Sequence, residues 1–233
     1  MKADDGSQKN YYDKFYNLIV GVDSSGILGY LSKYPHKLLE KPFKSNKGLN
    51  IIEVGAGQGE HLSFVTQDYS KYICTDVDGT RLSLINRHKY PKSETTLMDA
   101  ESLKFADNSF DRLISTCLLS HLGNPEGALV EWRRVIRHHG NISIYISTDP
   151  SIMLRLMRLL TTQRKAKKIG YGGYQLFIAR EHKISAHVLI NLIKHTFEQD
   201  KINIKFRPFF LKSWYFNLLC IIKIDINKSN NRD

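Results

Sequence analysis

Hydrophobic positions change period repeatedly along the middle of this chain. Leu49–Val54 is a mostly apolar run that predicts a buried strand. Gly59 to Asp68 follows at helical spacing, with Leu62 and Val65 on one side. Tyr72–Thr75 predicts a second strand, and Gly79–His88 a second helix carrying Leu82 and Ile85. Thr95–Met98 is a weaker strand closed by Asp99, and Phe110–Thr116 a stronger one. Asn124–His138 places Ala128, Leu129, Trp132, Val135 and Ile136 on one helical stripe. Asn124 suits its N-cap, Pro125 its first residue and Gly140 its stop. Asn141–Ser147 alternates Ile142, Ile144 and Ile146 as a strand.

Strands and helices taking turns predict an α/β fold, a doubly wound and mostly parallel sheet covered on both faces. Ligands of such sheets lie at the carboxyl ends of the strands, near the point where strand order reverses. The chain's end breaks the pattern. Ile184–Phe197 reads as a helix, then Lys201–Pro208 and Asn217–Ile226 follow as strands with no helix between them. Strands joined without a crossover pair as antiparallel neighbours, so an antiparallel strand is expected at the C-terminal end.

Two segments stand outside the alternation. Residues 1–48 carry Tyr11, Phe15, Leu18 and Val22 on one helical face, and are expected to form a helical segment covering the ligand site. Residues 149–183 interrupt the domain spanning 49–233 and are expected to form its acceptor-binding insertion. The stretch SIMLRLMRLLTTQRKAKK there mixes Ile152, Met153, Leu156, Leu159 and Leu160 with Arg155, Arg158, Arg164 and three lysines. Such a basic amphipathic helix suits an anionic membrane, a phosphorylated acceptor, or a lid with one solvated face.

Composition narrows these options only a little. The chain has 233 residues and a formal net charge of +11, which favours anionic partners. No recognised nucleic-acid module accompanies that charge. Three cysteines with no metal or disulfide spacing read as reduced thiols, predicting a cytoplasmic protein, with the inner membrane face as a further option. No apolar run reaches the ~20 residues of a membrane span.

The chemistry concentrates in EVGAGQG, Glu53 to Gly59, between a strand and a predicted helix. Glycines there allow a tight turn and close backbone approach to a ligand. A dinucleotide turn would place its third glycine at Glu60. A carboxylate at that point repels a pyrophosphate, so the ligand should lack phosphates here and carry positive charge, as Glu53 also suggests. Asp76 ends the second predicted strand, where a carboxylate takes ribose hydroxyls; its alternative is a helix cap, which Asp78 can supply. Asp99 ends the third strand, as an adenine-side group or a solvent-facing turn.

EVGAGQGEH, CTDVDGTRL, MDAESLKFADNSFDRLIS and LLSHLGNPEGALVEWRRVIRHHG together resemble the successive motifs of the class I S-adenosylmethionine-dependent methyltransferases, in their small-molecule and quinone-type branch. The resemblance covers about residues 49–147 and implies a Rossmann-like sheet of seven strands with S-adenosyl-L-methionine as cofactor. It implies that Glu53, Gly55, Ala56, Gly57 and Gly59 surround the amino-acid part of the cofactor. Asp76 would take the ribose, with Val77 beside the adenine and Asp99 and Ala100 at its amino group. Cys117 and Leu118 would line the sulfonium side. The family's glycine pair before the fifth strand is replaced by His139-Gly140.

The acceptor is far less legible. His121 is the first candidate for a general base, against a packing or capping role; His182 is the second, against a solvated loop. Tyr171 and Tyr174 in GYGGYQLF suggest a mobile aromatic loop over the site, with Tyr11 and Tyr12 closing it from the other side. Arg155 and Arg158 are candidates for an acceptor's anionic group. The expected activity is methyl transfer to a small-molecule or lipid-linked acceptor, with O-methylation of a sugar in surface-polysaccharide synthesis the favoured case. A quinone or lipid acceptor, and a non-catalytic cofactor-binding partner, are the alternatives.

Overall fold

The computed structural model describes residues 26–40, 48–168, 170–209 and 211–228. Tyr11, Tyr12 and the predicted helix around them lie outside these residues. Helix α1 (Gly26–Leu39) precedes strand β1 (Leu49–Val54). Then come β2 (Tyr69–Asp76), the single turn α2 (Gly79–Leu82), β3 (Ser93–Leu97) and β4 (Phe110–Thr116). Helix α3 (Pro125–Val135) leads into β5 (Ile136–Ser147). Helices α4 (Ile152–Leu160), α5 (Thr162–Lys168), α6 (Tyr174–Glu181) and α7 (Ala186–Thr196) follow, and β6 (Lys201–Arg207) and β7 (Leu219–Asp225) end the fold.

The seven strands form one sheet in the order β3-β2-β1-β4-β5-β7-β6. All pairs from β3 to β5 are parallel; β7 runs antiparallel to both β5 and β6. The chain therefore winds outward from β1 on one side, returns, and winds outward from β4 on the other. The switch point lies between β1 and β4, with Glu53 opposite Cys74 on one neighbour and Ile114 on the other.

Side-chain alternation feeds two cores. Ile52, Val54, Leu113, Ile142 and Ile144 pack on one face with Trp132 of α3 and Leu189 and Ile193 of α7. Ile51, Tyr72, Cys74, Ile114 and Ile221 pack on the other, joined by Leu39 of α1. The described part of the N-terminal segment, α1, thus packs on a sheet face, against β5 and β7.

Three predicted elements come out differently. The helix expected over Gly59–Asp68 is a 3₁₀ turn, Glu60–Phe64, because only Leu62 and the ring of His61 are deeply buried there. The helix expected over Gly79–His88 is the four-residue α2; it is capped by Asp78, whose carboxylate accepts from the Thr80 and Arg81 amides. The helix expected to stop at Gly140 ends at Val135 and passes straight into β5. Arg137 bonds Asp111 at 2.8 Å and the carbonyls of Asn108 and Ser109, which draws the chain into the sheet. The left-handed residue is His139, at φ 62°. Gly140 serves close packing, since a Cβ there would sit 2.6 Å from Ile136 Cγ2 and 2.9 Å from the Asp111 carbonyl.

Candidate active site

The turn after β1 is held by its own backbone. Gly55, Gly57 and Gly59 all have positive φ. At Gly55 two demands coincide: φ is +68°, and an added Cβ would meet Leu118 at 2.8 Å. The Gly57 amide donates to Asp76 Oδ2 at 2.9 Å, and the Asp78 amide to Asp76 Oδ1 at 2.9 Å. Ala56 is buried, and its amide donates to the Thr75 carbonyl. Because Asp78 caps α2, the half-exposed carboxylate of Asp76 has no capping duty. It joins the glycine turn to the end of β2 and keeps lone pairs for a ligand's hydroxyls.

Beside it, Val77 is 70% and Leu97 66% exposed. Two bare apolar side chains at the ends of adjacent strands make a platform for a flat ring. Asp99 lies exposed past β3, one oxygen accepting the Glu101 amide, and Ala100 is buried behind it. A nucleoside with two hydroxyls and an amino-bearing ring fits this set of donors and surfaces.

Glu53 does not present its charge at the turn. It is buried and accepts the Tyr72 hydroxyl at 2.7 Å. Burial pushes its carboxyl up to about 8, against the pull of that hydrogen bond, with Glu60 and Glu40 adding to the rise. At neutral pH it is mostly protonated, which corrects the expectation that it selects a cationic ligand through its charge.

Beneath the turn lies a network the sequence reading missed. Arg112 of β4 makes a two-pronged ion pair with Glu40 (2.7 and 3.2 Å), and also donates to Gln67. His61 Nε2 lies 3.0 Å from Glu40 Oε1, and His61 Nδ1 lies 3.0 Å from His36 Nδ1. With His61 donating to the carboxylate, its Nδ1 must accept from His36. Burial holds both rings neutral, taking His36 down to about 3 and lowering His61. Glu40 sits at about 2: burial opposes its ionisation, but His61 and Arg112 outweigh it. The available signal was an arginine inside the apolar strand FDRLIST, since a buried guanidinium requires a partner.

The second half of the site lies past β4 and β5. Cys117 has φ 56° and donates its amide to the Tyr145 carbonyl at 2.8 Å. His121 ends a 3₁₀ turn, Leu119–His121, and its Nδ1 lies 3.3 Å from Glu181 Oε2. Burial lowers the affinity of this ring for a proton, but hydrogen bonds to Cys117 and Glu181 outweigh it and raise His121 to about 9. His182, far from being a solvated loop residue, is mostly buried. Its Nδ1 faces Ser147 Oγ (3.4 Å) and Asp149 Oδ2 (3.5 Å), and its Nε2 faces Arg158 Nη2 (3.4 Å). Burial and Arg158 bring it down to about 4. The two rings stand 5.3 Å apart, centroid to centroid. Neither is poised as a general base at neutral pH: His121 already carries its proton, and the Nε2 lone pair of His182 is directed at a guanidinium.

His182 also lines a cavity of about 850 Å³ bounded by α4, α6 and the loop before α7. Ile152, Leu156, Leu159, Ile178 and Ile184 give it an apolar wall; Arg155, Arg158 and Lys183 give it positive charge. Arg158 is anchored by Asp149 at 2.6 Å. Tyr174 lines it too, but is only 5% exposed and shares a 2.5 Å hydrogen bond with Thr162. Of the aromatic loop expected here, 170–173 is a turn, with Tyr171 packed beside Ala166 and Tyr174, and Tyr174 begins helix α6.

Comparisons with known proteins bear on the domain and its fold. Residues 52–144 match the family model described as a methyltransferase domain. Over 105 residues the chain is 30% identical to a phosphatidylethanolamine N-methyltransferase of Cereibacter sphaeroides, a match covering 42% of this chain and 50% of that protein. The chain thus spans about half the length of this curated relative. Its fold matches a TehB-like S-adenosylmethionine-dependent methyltransferase of Corynebacterium glutamicum with TM-score 0.56 and 15% identity, over 97% of this chain and 100% of the other. It also matches an S-adenosylmethionine-dependent methyltransferase of Mesorhizobium loti with TM-score 0.58 and 13% identity, over 84% and 98%. These two likenesses are of fold, and none of the matches separates the small-molecule branch from the others. Residues 52–144 match a methyltransferase domain, on a fold that S-adenosylmethionine-dependent methyltransferases share.

Proposed function

We propose that the chain transfers a methyl group from S-adenosylmethionine to the amine of a phospholipid-like acceptor. The observation that carries this reading is the cavity behind His182, which joins an apolar wall to Arg155, Arg158 and Lys183. A phosphate with an acyl chain beside it matches both halves. The likeness to a protein named for phosphatidylethanolamine N-methylation supports the same class.

When bound, the cofactor supplies an electrophilic methyl on a sulfonium. In this reading Asp76 takes its ribose hydroxyls, Val77 and Leu97 flank its ring, Asp99 and Ala100 meet the ring's amino group, and the turn from Gly55 to Gly59 holds its amino-acid end. Cys117 and Leu118 form the wall toward the acceptor. Arg155 and Arg158 hold the phosphate. Alignment is then the main contribution of the protein to an in-line displacement. A hydroxyl acceptor gains from a general base, which the two histidines do not provide at neutral pH; an amine reacts as its free base without one at the reacting atom. Residues 149–183 act as the acceptor-binding insertion of the 49–233 domain. The sugar acceptor rested on the basic insertion and on the tyrosines, of which Tyr174 is buried.

The test is a labelled-methyl assay over a small panel: phosphatidylethanolamine, phosphatidylglycerol, a quinol and a soluble sugar nucleotide. Label on the nitrogen of phosphatidylethanolamine is the expected result. Label only on the sugar or quinol would overturn the acceptor class. Cofactor binding without transfer to any of them would favour a non-catalytic partner.

A further inference from the structure

The sheet topology brings two segments far apart in sequence to one edge. Because β7 runs antiparallel to β5, its first residue, Leu219, lies opposite Ser147, at the carboxyl end of β5. The connection from β6 to β7, residues 208–218, therefore lies at the same edge as the ligand turns. Helix α4 leaves β5 at that edge and packs against the 3₁₀ turn Trp214–Phe216 of the connection.

Both segments expose apolar side chains. On α4, Leu159 and Leu160 stand about half exposed, beside Ile152 and Leu156 at the cavity. On the connection, Leu211, Tyr215 and Phe216 are similarly bare. Arg164, Lys167 and Lys168 of α5 and Lys212 of the connection are exposed around them. Leucines and aromatics bordered by cations are the composition of a surface that sits in the headgroup region of an anionic bilayer. A protein partner or a second copy would need an acidic rim to match, whereas an anionic leaflet supplies both the charge and the apolar layer.

We infer that α4, α5 and the β6–β7 connection form one face that docks on an anionic phospholipid leaflet, with the α4 cavity opening at the lipid surface. The inference rests on the phospholipid-like acceptor proposed above and adds how that acceptor reaches the site: it enters from the leaflet without crossing water. The connection is as much part of the docking face as the basic helix.

The full chain should be tested by flotation with phosphatidylcholine vesicles and with mixed phosphatidylcholine–phosphatidylglycerol vesicles. Binding to the mixed vesicles at low salt, weakened as salt is raised, is expected. Leu160→Gln with Arg164→Glu on the helices, and Leu211→Gln with Phe216→Gln on the connection, should each weaken it roughly tenfold or more. Calorimetric affinity for S-adenosylmethionine should stay unchanged in both pairs, which shows that they remain folded. Absence of binding to the mixed vesicles, or binding that neither pair alters, overturns the inference. So does a dimer in gel filtration that the same pairs dissolve while vesicle binding is absent, because a second copy then covers the face. Vesicle binding without methylation of phospholipid would defeat only the acceptor reading. Methylation of detergent-dispersed lipid without vesicle binding would defeat only the docking face.

Discussion

In the proposed reading Asp76 takes the ribose of the cofactor. Its two oxygens accept the Gly57 and Asp78 amides, so it also orders the glycine turn. Asp76→Ala should weaken S-adenosylmethionine binding by roughly tenfold to a hundredfold in calorimetry, the effect of losing charge-assisted hydrogen bonds. Unchanged affinity would remove it from the site. Glu53 makes a different prediction. The unfolded chain releases this proton near the ordinary value of 4.5, and the folded chain keeps it to about 8. Between those values unfolding releases a proton, so rising pH costs stability through this group. Glu53→Gln keeps an acceptor for Tyr72 and removes the titration. The melting temperature of the wild type, measured relative to Glu53→Gln, should therefore fall as pH rises through this window. A constant difference would show that Glu53 is not held protonated. His121, raised to about 9, loses stabilisation over an overlapping range, but it does so equally in both proteins and cancels in the comparison.

At the scale of elements, what could be read from the sequence depended on the range of the interactions involved. All seven strands were legible from local sequence, most as apolar runs and β6 as an alternation, and Phe110–Thr116 was read to the residue. The glycine turn and the acids at Asp76 and Asp99 were legible for the same reason. The end of α3 was not: Arg137 is drawn to Asp111, which lies outside the helix and 26 residues earlier. The pairing of Arg112 with Glu40 spans 72 residues, and no periodicity announces it. The burial of His182 in its loop was not legible for a similar reason, since its partners Ser147 and Asp149 lie across the insertion. The Arg112–Glu40 pair ties α1 to the sheet beneath the glycine turn. Arg112→Met leaves Glu40 buried beside His61 without its cation, and should lower unfolding free energy by about 3–5 kcal/mol in denaturant titration. A loss no larger than that of an exposed ion pair, ~1 kcal/mol or less, would mean that the network does not anchor the helix.

At the scale of the whole molecule, the sheet divides the work along one edge. The strands on the β3 side of the switch point end in the groups suited to the cofactor. Those on the β5 side end in Cys117, His121, His182 and the cavity with its cations. No described helix is long and apolar enough to cross a membrane. The net charge of +11, uninformative when spread over the composition, takes on meaning where arginines and lysines border that edge. The central claim is best tested by incubating the full chain with S-adenosylmethionine and phosphatidylethanolamine and weighing the extracted lipid. The expected product is phosphatidylethanolamine heavier by one or more methyl groups, all on nitrogen. Unmodified phospholipid alongside a methylated soluble acceptor would contradict it.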